Sequence, residues 1–561
     1  MMADAPTAEQ PQPPAAREAE APFNREDADF VLRTSDGVHF RVFRTILILA
    51  SEGLAGMLHL PQPPTAAGSE PETETPGVDI PEDSETMNIF LRICYPHVAS
   101  EIEMESLPHL RKVLAAGQKY DAAPVIDVMR RALVQPRFLD DNPLVVFAIA
   151  CCMDLEEEAR EAAKVVVMKN RLKDEYHCPE MDHVGAGAYY RLLQLNQTRL
   201  VLRTNVQMEF DGIGSFCRNP PPDPDLETTI ESVSQPFTDA DADVILVTSD
   251  SLEFRVHSKI IDLASPNMFN MLMQEPSAGE QRMYSMKESS AVVDPLLRFC
   301  YPGKRPHFLD APNTFLRVLA ALQKYGLAGA ADEAVRANWA AFAAADPFRF
   351  FFHAIALGLA DEARACARLV AESEAGQSMH TLYVPEMEGV GSLAYRRLLA
   401  YVKRFREAAT QNFQLLGFRA RPCPDDRASA CACRTRCPLT MNLRQPTSGF
   451  EGVFKEMKQR LERRPSGRAL AGDVSLIGSV LDAMHAQSKE LAGLSIPVSN
   501  FMDRHGHWNS SPNLNGHYVP PLPPLEFLCA MSAQVEWASS LLQCYADAVD
   551  GAVSLVSASC I

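Results

Sequence analysis

The chain has no excess of basic charge: 53 lysines and arginines stand against 72 aspartates and glutamates, a formal net charge of −19. Grip on nucleic-acid phosphates needs a concentrated positive footprint, so the balance argues against nucleic acid as a partner. Long apolar runs are also missing. The longest, residues 144–153 (LVVFAIACCM), is about half of what a bilayer span requires, and no membrane partner is expected. The opening segment, MMADAPTAEQPQPPAAREAEAP, has neither a basic stretch nor an apolar core, so no secretory leader is expected. Glycine-rich phosphate loops of the Walker or Rossmann kind, Gly-x-Ser-x-Gly and His-Glu-x-x-His are all lacking. The acidic run at 154–158 is helix surface rather than a pair of working carboxylates. No catalytic constellation assembles, so the expectation is a non-enzyme without a cofactor.

Cysteine is present but not in metal-binding order. Cys423, Cys431, Cys433 and Cys437 form a Cys-x-Cys-x3-Cys group without the paired Cys-x2-Cys spacing of a zinc site. His505, His507 or His517 stands as a distant zinc ligand, against free thiols in an arginine-rich loop; the expectation is the thiols, with no metal. Cysteines at helical positions such as Cys94, Cys300 and Cys366 suit a reducing compartment, cytoplasmic or nuclear. The basic stretch at 455–468 (KEMKQRLERRPSGR) reads as a solvated helix end, with a nuclear-localisation patch as the alternative.

What the chain does have is itself, twice. Residues 28–58 (ADFVLRTSDGVHFRVFRTILILASEGLAGML) align without a gap on 242–272 (ADVILVTSDSLEFRVHSKIIDLASPNMFNML). FLRICYP at 90–96 answers LLRFCYP at 296–302, and VLAAGQKY at 113–120 answers VLAALQKY at 318–325. EEEAREAAK at 156–164 answers ADEARACAR at 360–368, and PEMDHVGAGAY at 179–189 answers PEMEGVGSLAY at 385–395. A unit this long exceeds a solenoid repeat, which closes in tens of residues. It is a domain with a helical attachment, present in two copies.

The expected layout is a disordered tail at 1–22, a first module at 24–134 and its helical extension at 138–205. A linker at 206–240, a second module at 241–340 and a second extension at 341–408 follow, then a mostly helical region at 409–561 containing the cysteine-rich segment. Each module opens with a strand pair. Val244, Leu246 and Thr248 alternate with Ile245 and Val247, and Leu252, Phe254 and Val256 share one face of the next strand. Asp36-Gly37 is the turn in copy one. Ser258 is expected to cap a short helix, and Ser265-Pro266 reads as an N-cap followed by proline at the first helical position. Asp346-Pro347 and Asn142-Pro143 should each cap a helix of an extension. Leu322 and Tyr325 should pack on the hairpin through Phe254 and Val256. The class is α+β.

These residues resemble the BTB/POZ domain. Its pattern of Asp-Val-x-Leu-x-Val, a turn, Phe-x-Val-His, an apolar helix and Leu-Ala-Ser-x-x-Phe stands here from Asp243 to Phe269, with His257 and Ser265 in place. With CYP, VLAALQKY and the EARACA helix, the extended form is similar to the large fungal group of BTB proteins, over residues 24–205 and 241–408. The resemblance implies a small fold that self-associates or recruits protein partners. The partner is a second module of the same chain, a homodimer mate, or a cullin. In the family's repressors a charged pocket uses an Asp before the first strand and a basic residue after the His. Asp29 and Arg44 fit that pair in copy one, although Phe43 replaces the His. Asp243 and His257 fit in copy two, although Ser258 replaces the basic residue. Turn-capping and helix anchoring are the expected roles of the Asp and His. Copy one is read as carrying Leu54 where copy two has Phe269.

The function expected is a tandem scaffold or adaptor. A substrate adaptor of a cullin-type ubiquitin ligase is the alternative, with Met273-Gln274-Glu275 in the form of the family's cullin-contacting motif. A transcriptional regulator is a third reading, for which no DNA-binding element stands out.

Overall fold

A computed structural model describes residues 17–59, 75–96, 104–172, 178–202, 213–217, 230–273, 282–308, 311–411, 451–471, 473–493 and 525–556. The chain divides into two units, one formed by residues up to 220 with 391–393, the other by the remainder.

The first unit is built on strands β1 (Arg17–Glu18), β2 (Phe30–Arg33), β3 (Val38–Val42) and β4 (Gly77–Asp79), in the order β1-β3-β2-β4. β2 and β3 form the antiparallel hairpin, with Phe30 opposite Val42 and Leu32 opposite Phe40, and β4 runs parallel to β2. Those four side chains are buried, and helices α1 (Arg44–Ala50), α2 (Glu52–His59), α3 (Ser84–Cys94), α4 (Leu107–Lys119) and α5 (Ala123–Leu133) complete the core through Leu47, Leu54, Phe90, Leu114 and Met129. Asp83 caps α3 by accepting from the Thr86 amide at 2.8 Å, and Ser106 caps α4. The extension holds α6 (Pro136–Leu139), α7 (Pro143–Cys152), α8 (Glu156–Met168) and α9 (Ala186–Leu202). The apolar run at 144–153 is explained by α7, which buries almost all its residues and so has no polar side.

The second unit repeats the plan with β5 (Val244–Val247), β6 (Glu253–Val256), α10 (Ser258–Ala264), α11 (Pro266–Met273), β7 (Arg282–Ser285), α12 (Ser290–Cys300) and α13 (Pro312–Lys324). The register matches: Val244 lies opposite Val256 and Leu246 opposite Phe254, and β7 is parallel to β5. Next come α14 (Ala328–Ala345), α15 (Pro347–Ala356), α16 (Ala360–Glu372) and α17 (Ser392–Gln411). Where Pro136 separates α5 from α6 in the first unit, the second has alanines and one continuous helix, α14. α18 (Glu451–Arg463), α19 (Val474–Gly493) and a helix at Leu525–Ser554 follow. The α18 end docks on the second extension through Arg406, whose guanidinium donates to the backbone carbonyls of Glu462 and Ser373. The architecture is α+β.

Several expectations need correction. Residues 17–22 are not a disordered tail: β1 lies there, Ala19 is buried, and Phe23 is fully buried against Phe40 and Tyr95. Likewise the stretch 206–240 is not wholly a linker. Phe237 is buried against Phe254 and Tyr301, and Phe216 is buried against Phe147. In each case one phenylalanine has enough apolar area to anchor a segment that is otherwise polar or proline-rich. β5 does not alternate: Val244, Ile245 and Leu246 are all buried because this strand is central, with β6 and β7 on its sides. Asn142 makes no side-chain cap, whereas Asp346 accepts from the Arg349 amide. Leu322, Tyr325, Phe254 and Val256 all lie in the buried core.

Candidate interaction surface

The short helix after each hairpin is held by the same two bonds. Asp29 Oδ1 accepts from the Arg44 amide at 2.8 Å, and Asp243 Oδ1 accepts from the Ser258 amide at 2.8 Å. Tyr95 Oη accepts from the Phe43 amide at 2.8 Å, and Tyr301 Oη from the His257 amide at 2.7 Å. The aspartate thus reaches across from the start of the hairpin and takes one of the amides that a helix leaves unpaired at its beginning. Ser258 does not cap α10 itself; it is the first helical residue, and its hydroxyl donates to Asp243 Oδ2 at 2.5 Å.

The charged pair looked for in copy one does not form among the described residues. Asp29 meets the backbone of Arg44, while the guanidinium donates to the Leu58 carbonyl at 2.6 Å and lies 5.3 Å from the Phe30 ring centre. In copy two, His257 Nδ1 sits 3.2 Å from Tyr301 Oη. Burial works against ionisation of Asp243, but the hydrogen bonds from Ser258 outweigh it and hold the carboxyl below its usual range.

A second lock joins the next helix to the far end of the module. Ser265 Oγ donates to the Tyr325 carbonyl and accepts from the Met268 amide at 3.0 Å. Ser51 Oγ does the same with the Tyr120 carbonyl at 2.5 Å and the Leu54 amide at 3.0 Å. The tyrosine then closes a loop of its own. Tyr325 Oη donates to Glu288 Oε2 at 2.8 Å while Lys324 pairs with Oε1 at 2.6 Å; Tyr120, Glu82 and Lys119 repeat this at 2.6 Å and 2.6 Å. Burial raises the Tyr120 hydroxyl, and the Glu82 carboxylate raises it further, so it stays a donor.

Met268, not Phe269, is the counterpart of Leu54: both are fully buried, and both amides bond the serine hydroxyl. Phe269 matches Ala55 instead. Both donate their amides to the serine carbonyl at 3.0 Å, and Phe269 is half-buried. Gln274 and Glu275 of the cullin-type motif, the side chain of Met273, and the cysteine group with its distant histidines lie outside the described residues.

Sequence reasoning overlooked one feature. Leu49 on α1 is 83% exposed and Leu263 on α10 is 85% exposed, at matching places in the gapless repeat. Two residues earlier on each helix, Leu47 and Ile261 are buried. Residues two apart point to different sides of a helix, so the core-facing pair puts the leucines outward. Period-counting along each helix carries that signal. In each module a short helix, pinned rigidly by Asp and Tyr at its start and by Ser at its end, holds out one large apolar side chain.

Residues 235–338 match the BTB/POZ domain family. No curated protein matches the chain. The chain therefore carries a BTB/POZ domain, a protein-interaction module, in its second unit. The matched stretch begins at 235, next to Phe237, rather than at the expected 241. No helix among the described residues is long and apolar enough to cross a membrane.

Proposed function

We propose that the chain is a tandem BTB scaffold in which the first module is a second domain of the same kind, and the two modules pair with each other. The observation that carries this reading is the duplicated set of anchoring bonds, Asp29 with Asp243, Tyr95 with Tyr301 and Ser51 with Ser265, which in each module brings an exposed leucine to the same place. A lone surface leucine is ordinary, but the same leucine held out twice by matching frames suits a quasi-symmetric contact. Two such modules on one chain have a high effective concentration for each other, which favours pairing within the chain.

Light scattering at micromolar concentration tests it. One chain in solution is expected, with Leu49→Asp and Leu263→Asp together lowering Tm while leaving the mass unchanged. A homodimer that falls to a single chain on deleting either module would replace pairing within the chain by pairing between chains. Capture of a purified cullin scaffold would favour the adaptor reading instead.

A further inference from the structure

We infer that Cys151 and Cys217 are a reversible dithiol–disulfide pair which, oxidised by a low-molecular disulfide such as glutathione disulfide, staples residues 213–217 to the first extension. The segment docks where α7 ends and α8 begins. Phe216 packs edge-on against Phe147, with ring centres 5.4 Å apart. Glu156 Oε2 accepts from the Ser215 hydroxyl at 2.6 Å and from the Cys217 amide at 2.9 Å, while Oε1 takes Arg160 at 2.5 Å. Burial works against the Glu156 charge, but these bonds outweigh it and hold the carboxyl below its usual range. The clamp fixes the Cys217 backbone and with it the side chain. Its Sγ lies 3.9 Å from the Ala150 carbonyl, at the peptide that leads into Cys151. Burial pushes the Cys151 thiol well above its usual range, and the Cys217 thiol, a hydrogen-bond neighbour, adds to the rise.

Packing alone does not call for these thiols. In the gapless match of 143–160 with 347–364, Cys151 and Cys152 stand where the second extension has Ile355 and Ala356, one half-buried and one exposed in both copies. While the segment is docked, Cys217 is buried and the Cys151 thiol keeps its proton, so neither reacts. A short segment held by one ring and one carboxylate belongs to the part of a fold that opens locally. On opening, the Cys217 thiolate attacks glutathione disulfide and releases one glutathione. On re-docking, Cys151 attacks the Cys217 sulfur, and its proton leaves with the second glutathione. One S–S bond breaks and one forms; the protein thiols lose two electrons and two protons, and two glutathione thiols result. In a reducing compartment such a disulfide is transient. Residues 213–217 are the last described before the chain passes to its second unit, so the staple fixes the point of departure.

Pairing of the modules plays no part in this staple, so either can fail alone. The full chain is equilibrated in glutathione buffers of rising disulfide content, quenched with acid, blocked with N-ethylmaleimide and digested with trypsin without reductant. Mass spectrometry should find the peptide of residues 138–160 joined to that of residues 204–218, and dithiothreitol should separate them. Cys217→Ser should abolish the joined pair and Cys151→Ser should cut it about tenfold or more, since the fold holds that thiol nearest. Cys152→Ser should leave it, although Cys152 is the exposed thiol. In the folded chain the equilibrium should favour the disulfide about tenfold or more over the chain unfolded in urea, because docking raises the effective concentration of the two thiols. Phe216→Ala, which loosens the docking, should bring it back toward the unfolded value. Peptides that stay separate, a joined pair that needs Cys152 in place of Cys151, or an equilibrium no better than in urea would overturn the proposal.

Discussion

The two modules take the same backbone turns with different residues at them. The hairpin turn is Gly37 at φ 80° in the first module and Ser251 at φ 65° in the second; after the tyrosine helix the order reverses, with Asp121 at φ 48° and Gly326 at φ 75°. The left-handed conformation therefore belongs to the fold. Each module holds one non-glycine residue there because surrounding bonds insist on it, such as the Thr248 hydroxyl and amide that close the second turn on the Leu252 backbone. The helix starts teach the same lesson. Arg44 and Ser258 differ completely as side chains, yet both offer their amides to an aspartate at 2.8 Å. What the two copies share is the anchoring side chains, Asp, Tyr and Ser, while the residues whose amides the aspartate and tyrosine hold are free to diverge.

That comparison breaks first in the core. Phe40→Ala and Phe254→Ala remove fully or almost fully buried rings at matching places, and each should cost about 3–5 kcal/mol. Separate unfolding transitions in calorimetry should show each variant lowering a different one. Equal lowering of both by either variant would mean that the modules unfold as one.

The serine locks come next. Ser51→Ala and Ser265→Ala each take away a hydroxyl from which a buried tyrosine carbonyl accepts, though the Tyr120 carbonyl keeps the Gly53 amide at 3.0 Å, and each should cost about 1 kcal/mol. Comparable losses in the two modules, measured by chemical denaturation, would confirm a shared device. A cost confined to one would show that only that module depends on it.

A third test uses a difference. α3 is capped by Asp83, whereas Ser289 at the start of α12 makes no side-chain cap. Burial opposes the Asp83 charge, but the Lys112 ammonium and the Thr86 amide outweigh it and bring the carboxyl to about 2 from 3.8. A folded-state value below the unfolded one stabilises at pH above 3.8, and that contribution is lost as pH falls toward 2. Asp83 should thus contribute about 1 kcal/mol to the first module's loss across this window, and Asp83→Ser should remove that part. Melting curves between pH 5 and about 2 read it directly.

The smallest effects run the other way. Ser251→Gly and Asp121→Gly relieve left-handed strain and should each stabilise by up to about 1 kcal/mol, less the extra freedom that glycine has when unfolded. Destabilisation by Ser251→Gly would mean that its present side chain is worth more than the strain it bears.

Much of this molecule was legible without coordinates. The gapless repeat, the hairpin around Phe254 and Val256, the Ser265-Pro266 helix start and the class all follow from local patterns, because strand alternation, caps and proline act within a few residues. The edges of the modules were not legible that way. Phe23 and Phe237 sit in proline- and acid-rich stretches, and only their burial against Tyr95 and Tyr301, far away in the chain, makes them part of the fold. Asp29 and Asp243 were expected to anchor a turn or helix, but not at which group; the amides they meet lie fifteen residues on, brought into reach when the hairpin closes. Composition and repetition by themselves determined that this is a duplicated α+β chain, because local propensity and apolar spacing are properties of short windows. Which leucine faces out and which amide each aspartate meets were decided only by tertiary structure, because each depends on groups distant in sequence competing for the same few hydrogen bonds and the same buried volume.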